Sequence, residues 1–212
     1  MSNVRTIFNA GTDGLVTKFA REHVSFIKEC SGQLFYHREF NAGIYNSDFL
    51  KEAGVIEDVL VNFPGFIVLS DYKSAERYAV KPEAISFIRP DKTLSADNDN
   101  SGKYVSHDTT RIFLRDSKDG RTLEVRLPFD QLFQSLQGEL EQHGFVVFND
   151  AFHDDKVIVN PSNIFGFLPR GKFVLLSLLG QGGGHSICAP NDSVLLDMLG
   201  MHQSVEKPTL SN

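Results

Sequence analysis

The chain contains no tryptophan and only two cysteines, Cys30 and Cys188, in 212 residues. Two cysteines so far apart, without a C-x-x-C spacing, exclude a disulfide framework and a zinc knuckle, so both read as small buried thiols. Long hydrophobic runs are missing too. The longest, Phe173 to Leu179, is interrupted by Ser177 and stopped by Gly180, whereas a membrane-spanning helix needs roughly 20 apolar residues. No membrane span is expected. Met1 to Ala10 offers no apolar stretch followed by a small-residue cleavage site, so the expected compartment is the cytoplasm, free or assembled into a particle there. Basic residues are outnumbered, 21 Lys+Arg against 27 Asp+Glu, for a net charge of −6. That balance disfavours nucleic acid as a partner of the whole surface but leaves room for a local basic stripe. No G-x-S-x-G, H-E-x-x-H or paired C-x-x-C string occurs, so no enzyme class is indicated.

What is present is an ordinary globular composition, 41% hydrophobic with 18 phenylalanines. A chain of this length can bury a core of its own. Thr12 and Asp13 can cap a helix over 13–29 whose apolar positions Leu15, Val16, Phe19, Phe26 and Ile27 recur near the 3.6-residue period. A second helical pattern starts at Ser47 and runs through Leu50 and Ala53 to Leu60, with Gly54 as a break. Phe66 to Leu69, after the Pro64-Gly65 turn, reads as a buried strand.

The strongest organisational signal is an internal repeat. Val80 to Pro90 aligns without gaps on Val159 to Pro169, with Val, Pro, Ile and Pro at identical offsets. Downstream, Gly120 to Val125 followed by Pro128 matches Gly184 to Ala189 followed by Pro190. Pro82 and Pro161 suit strand entrances or bends, and Pro90 and Pro169 are expected to end the following strand. Ile112–Leu114 and Leu123–Leu127 alternate as hairpin strands do, with Asp119-Gly120 as the turn. Pro128 opens a helix with Phe129, Leu132, Phe133, Leu136 and Leu140 on one stripe, ending near Gly144. Asn191 or Asp192 caps its counterpart, carrying Val194, Leu195, Met198 and Leu199 and closed by Gly200. The expected fold is α+β: an N-terminal helical segment, then two related antiparallel β modules, each packing a short helix. The corresponding divisions are 1–74, 75–144, 145–202 and a polar tail, 203–212.

Four segments invite a chemical reading. Asp97, Asp99 and Ser101, with Gly102 at the sixth position and Asp108 at the twelfth, resemble an EF-hand-type calcium loop, although Asp stands where that loop has a bidentate Glu. The competing reading is a polar, soluble hairpin insertion. Gly180 to Ser186 is glycine-rich like a phosphate cradle, but it leads into a strand and lacks the G-K-[ST] ending, so a hairpin tip is expected. His153-Asp154-Asp155 reads as a solvated acidic loop. Arg111, Phe113 and Arg115 share one strand face and Arg126 lies on the partner strand, a set that suits a protein partner or single-stranded nucleic acid. Its bland reading is a solvated antiparallel face.

Gly144 to His153 and Val157 to Asn160, within about the last 130 residues, resemble the LytTR-type DNA-binding domain of bacterial response regulators. The resemblance implies a nucleic-acid-binding transcriptional regulator. Where that family carries a basic segment before its V-N pair, this chain has Val147, Asn149, Asp150, Asp154 and Asp155. The principal expectation is therefore a non-enzymatic binding or assembly protein acting through sheet faces and loops. Its expected partner is a protein or a second copy, as in a viral or phage structural or accessory component, and it carries no cofactor beyond the calcium candidate.

Overall fold

The structure, a computed structural model, describes residues 7–10, 17–20, 24–38, 50–71, 76–96, 104–115, 122–181 and 186–201. Strands β1 (Ile7–Ala10) and β2 (Thr17–Ala20) form a two-stranded hairpin sheet. β3 (Val24–Cys30), β4 (Gln33–Arg38), β5 (Leu50–Ala53), β6 (Ile67–Ser70) and β7 (Arg77–Val80) form a sheet in the order β5-β4-β3-β7-β6. The short helix α1 (Ile56–Val59) connects β5 to β6. A 3-10 turn, Pro82–Ala84, leads into β8 (Ile85–Ala96), β9 (Tyr104–Leu114), β10 (Thr122–Val125), helix α2 (Phe129–Gln142), β11 (Val146–Asn149) and β12 (Lys156–Val159). Their order is β10-β9-β8-β12-β11. A second 3-10 turn, Pro161–Asn163, leads into β13 (Ile164–Arg170), β14 (Phe173–Leu178), β15 (Ile187–Pro190) and helix α3 (Ser193–Met198), with the sheet order β13-β14-β15. Every pairing is antiparallel.

The fold is α+β, and one plan recurs along it. In the two five-stranded sheets a three-strand meander is followed by a helix and a hairpin, whose second strand returns to pair with the first strand of the meander. The three-stranded sheet repeats the meander and the helix. Val24-Ser25-Phe26-Ile27, Ile85-Ser86-Phe87-Ile88 and Ile164-Phe165-Gly166-Phe167 open the three meanders. The ladder slips at the same place in each, between Val24 and Phe26, Ile85 and Phe87, and Ile164 and Gly166. Backbone bonds repeat as well: Lys81 N–H donates to Ser25 O and Asn160 N–H to Ser86 O, both at 2.9 Å, while Arg115 N–H donates to Ala84 O and Leu179 N–H to Asn163 O, also at 2.9 Å. The hairpins match in sequence too. Gly65-Phe66-Ile67-Val68-Leu69-Ser70-Asp71 and Gly144-Phe145-Val146-Val147-Phe148-Asn149-Asp150 share Gly, Phe, Val and Asp, and both glycines adopt the positive φ that glycine tolerates best.

Several local expectations change. Residues 17–20 and 24–30 are strands rather than parts of a helix over 13–29. β3 sits between β4 and β7, so two hydrogen-bonded ladders outweigh a helical spacing that an isolated segment would favour. Residues 50–53 of the second helical pattern pair with β4, and the helix begins only after Gly54. Pro90 and Pro169 lie inside β8 and β13. Pro90 ends pairing on one side only: β8 meets β12 at Phe87 and Ile88 and thereafter pairs with β9 alone. In α3 the packed residues are Leu195, Leu196 and Leu199, while Val194 and Met198 point outward. Sheet membership changes at the two proline turns, so the divisions expected at 74/75 and 144/145 fall within the spans of the five-stranded sheets. The tail 203–212 lies outside the described residues.

The second strand of each of the β6–β7 and β11–β12 hairpins serves two cores. Alternate residues of β7 face opposite sides, Ala79 into the core of β3, β4 and α1, and Val80 into the core of β8, β9, β10 and α2. β12 does the same, with Ile158 in that second core and Val157 and Val159 in a third, beneath β14, β15 and α3. The hairpin of one unit is thus the roof of the next.

Candidate interaction surface

The junctions between units rest on equivalent aspartates. Asp71 follows β6 and its Oδ1 accepts the backbone N–H of Glu124 in β10 at 2.9 Å, beside an antiparallel bridge between Asp71 and Val125. Asp150 follows β11 and its Oδ2 accepts the N–H of Cys188 in β15 at 3.2 Å, while its Oδ1 accepts from Phe152 and His153 at 2.8 and 3.1 Å. Asp150 is buried and Asp71 half-buried; backbone donors offset the cost of enclosing such carboxylates, and these two clasp the last hairpin of one unit to the third strand of the next. Burial, and secondarily the charge of Asp150, pushes the Cys188 thiol above its ordinary pKa. Cys188 is buried as expected, whereas Cys30 is half-buried at the end of β3.

The arginine face is arranged differently from the expectation. Phe113 is fully buried and stacks on Phe87 with ring centroids 3.9 Å apart and planes 12° from parallel. The C-terminal end of β9 is covered on both faces: Ile112 and Leu114 enter one core and Phe113 the next. No base can stack there. Arg111 pairs with Asp91 across the β8–β9 ladder, Arg115 is half-buried just after β9, and Arg126 is exposed after β10. The consecutive apolar triplet Ile112-Phe113-Leu114 carried the signal for a doubly covered strand.

Of the calcium candidates, Asp97, Asp99 and Ser101 lie outside the described residues, and Asp108 is exposed on β9 opposite Lys92. Among the described residues no group of three His, Cys, Asp or Glu side chains gathers as metal ligands would. His153, Asp154 and Asp155 form an exposed turn with Asp154 at φ 57°. Gly182 to His185 of the glycine run lie outside the described residues. Gly180, at φ 70°, packs so closely on the Leu114 carbonyl that a Cβ would overlap it. The string Ser25-Phe26-Ile27-Lys28 matches S-x-x-K, a nucleophile motif. Here it is structural: Ser25 donates its hydroxyl to the His37 carbonyl at 3.2 Å, and Lys28 pairs with Glu76.

Exposed large apolar side chains occur along the chain, Val61, Phe152 and Tyr104 among them, and three lie together on one strand. Phe165, Phe167 and Leu168 of β13 are 70%, 47% and 46% exposed. Ser86 and Ile88, which hold the positions of Phe165 and Phe167 in the second unit, are fully buried. The difference has a plain cause. β3 is paired along one edge by β7 and β8 by β12, but no described strand pairs the corresponding edge of β13. Unpaired backbone donors and acceptors beside exposed apolar side chains make such an edge a template for another strand. Among the described residues no helix is long and apolar enough to cross a membrane. No family model matches the chain, and neither a curated protein nor a solved structure matches it.

Proposed function

We propose that the chain is a non-enzymatic binding or assembly protein that engages a protein partner through sheet edges. One observation carries this reading: among the described residues β13 presents an unpaired edge with exposed phenylalanines, where the equivalent strands β3 and β8 are covered. Strand addition at such an edge supplies backbone hydrogen bonds for affinity and alternate side-chain positions for specificity. The nucleic-acid alternative draws less support, because Phe113 is enclosed and Arg111 is already paired.

Light scattering on the eluting protein across a concentration range, with fluorescence anisotropy on single-stranded and duplex DNA across a salt series, tests the reading. It expects a mass that rises above one chain with concentration and a flat DNA signal. A single-chain mass throughout, together with DNA binding that weakens steeply with salt as phosphate contacts require, overturns it.

A further inference from the structure

Resting on that assembly reading, we propose that the occupant of the β13 edge is the β1–β2 hairpin of a second copy of this chain, joined head to tail. Each internal junction has the same grammar. A hairpin precedes a meander in the chain, its first strand lies beside the third strand of that meander, and its second strand pairs with the opening strand of the meander before it. Thus β6 lies beside β10 while β7 pairs with β3, and β11 lies beside β15 while β12 pairs with β8. The β1–β2 hairpin fits the first half of this rule. It precedes the β3–β4–β5 meander, and β1 lies against β5. The second half is unfilled, because β2 pairs only with β1 among the described strands. Among the described residues, one half-junction is therefore a hairpin without a meander and the other, at β13, is a meander without a hairpin.

Register makes the match specific. Val80 stands five residues before Ile85 and Val159 five before Ile164; five before Val24 stands Phe19. Val80 pairs with Phe26 and Val159 with Phe87, so Phe19 falls opposite Gly166, and Lys18 opposite Phe167. At the two internal junctions the pair is Val with Phe; at the open one it is Phe with Gly. A large residue is exchanged for a small one across the pair, and a Cβ at Gly166 would meet only ordinary contacts with Ser177, so the position has room. The hairpin of one copy on β13 of the next is a heterologous contact, which closes into a ring or continues as a filament.

Phe19→Cys and Gly166→Cys, made in separate chains and mixed under mild oxidation, test the register, because antiparallel neighbours come within disulfide reach. The expected result is a two-chain disulfide joining the two introduced thiols, identified by peptide mass, and a ladder of covalent multimers when both substitutions share a chain. Phe167→Lys, placing like charges opposite each other with Lys18, is expected to return the light-scattering mass to one chain, and adding Lys18→Glu to restore association. Far-UV circular dichroism equal to that of the parent shows that these variants fold. A cross-link confined within one chain overturns the second copy as the source. Association of the parent without the cross-link, or unaffected by Phe167→Lys, overturns this interface while leaving the assembly reading in place. A parent that stays at one chain at every concentration overturns this interface; the assembly reading falls with it only where salt-sensitive DNA binding is found as well.

Discussion

Replacing Phe113 with alanine separates the enclosed strand from the exposed arginine–aromatic face that its sequence suggests. Phe113 has no solvent exposure, stacks on Phe87 at 3.9 Å and belongs to the core beneath β14, β15 and α3. Truncation removes a buried ring and leaves a cavity between two units that cannot collapse freely, a change that costs about 3–5 kcal/mol. For a chain of this size each kcal/mol lowers the melting temperature by roughly 2–4 °C. The assay is urea unfolding followed by far-UV circular dichroism and, since there is no tryptophan, tyrosine fluorescence. The loss is read from the midpoint at constant m. Phe87→Ala should cost a similar amount, and the double variant less than the sum, by about 0.5–1.5 kcal/mol for the ring pair. A loss for Phe113→Ala within about 0.5 kcal/mol of zero, as at an ordinary surface position, would refute the two-core arrangement.

Two further outcomes follow from local geometry. Gly180→Ala should destabilise far more than Gly171→Ala: both glycines have positive φ, but only at Gly180 would the added Cβ overlap backbone, the Leu114 carbonyl. The Gly171 change should cost about 1–2 kcal/mol, the strain of a side chain in the left-handed region, and equal melting temperatures for the two variants would count against the close approach of the third unit to the second. Hydrogen bonds from the Arg77 guanidinium hold the Glu57 carboxyl below its ordinary range. A carboxyl lowered on folding stabilises above its unfolded pKa, about 4.3, and loses that contribution as pH falls through the folded value. The gap in urea midpoint between the parent and Glu57→Gln should therefore shrink from pH 6 to pH 3; a gap that stays constant would contradict the pairing.

The sequence alone determined the elements whose signals are local. Asp192 caps α3, with its carboxylate accepting the Leu195 N–H at 3.0 Å, and Pro128 precedes α2. Such features depend on a few consecutive residues, as do the β9–β10 hairpin and the proline-punctuated repeat, and they can be read wherever those residues stand. Tertiary structure decided the rest. Whether Val24 to Cys30 is helix or strand depends on two ladders supplied by segments as distant as residue 80. Whether Phe113 meets water depends on a core contributed from beyond residue 145. The exposed phenylalanines of β13 read in sequence like any buried strand, and what sets them apart is that no described strand pairs the edge beside them. Burial is a property of what the rest of the chain brings alongside: a local run such as Ile112-Phe113-Leu114 signals cover on both faces, but not which distant segments supply it.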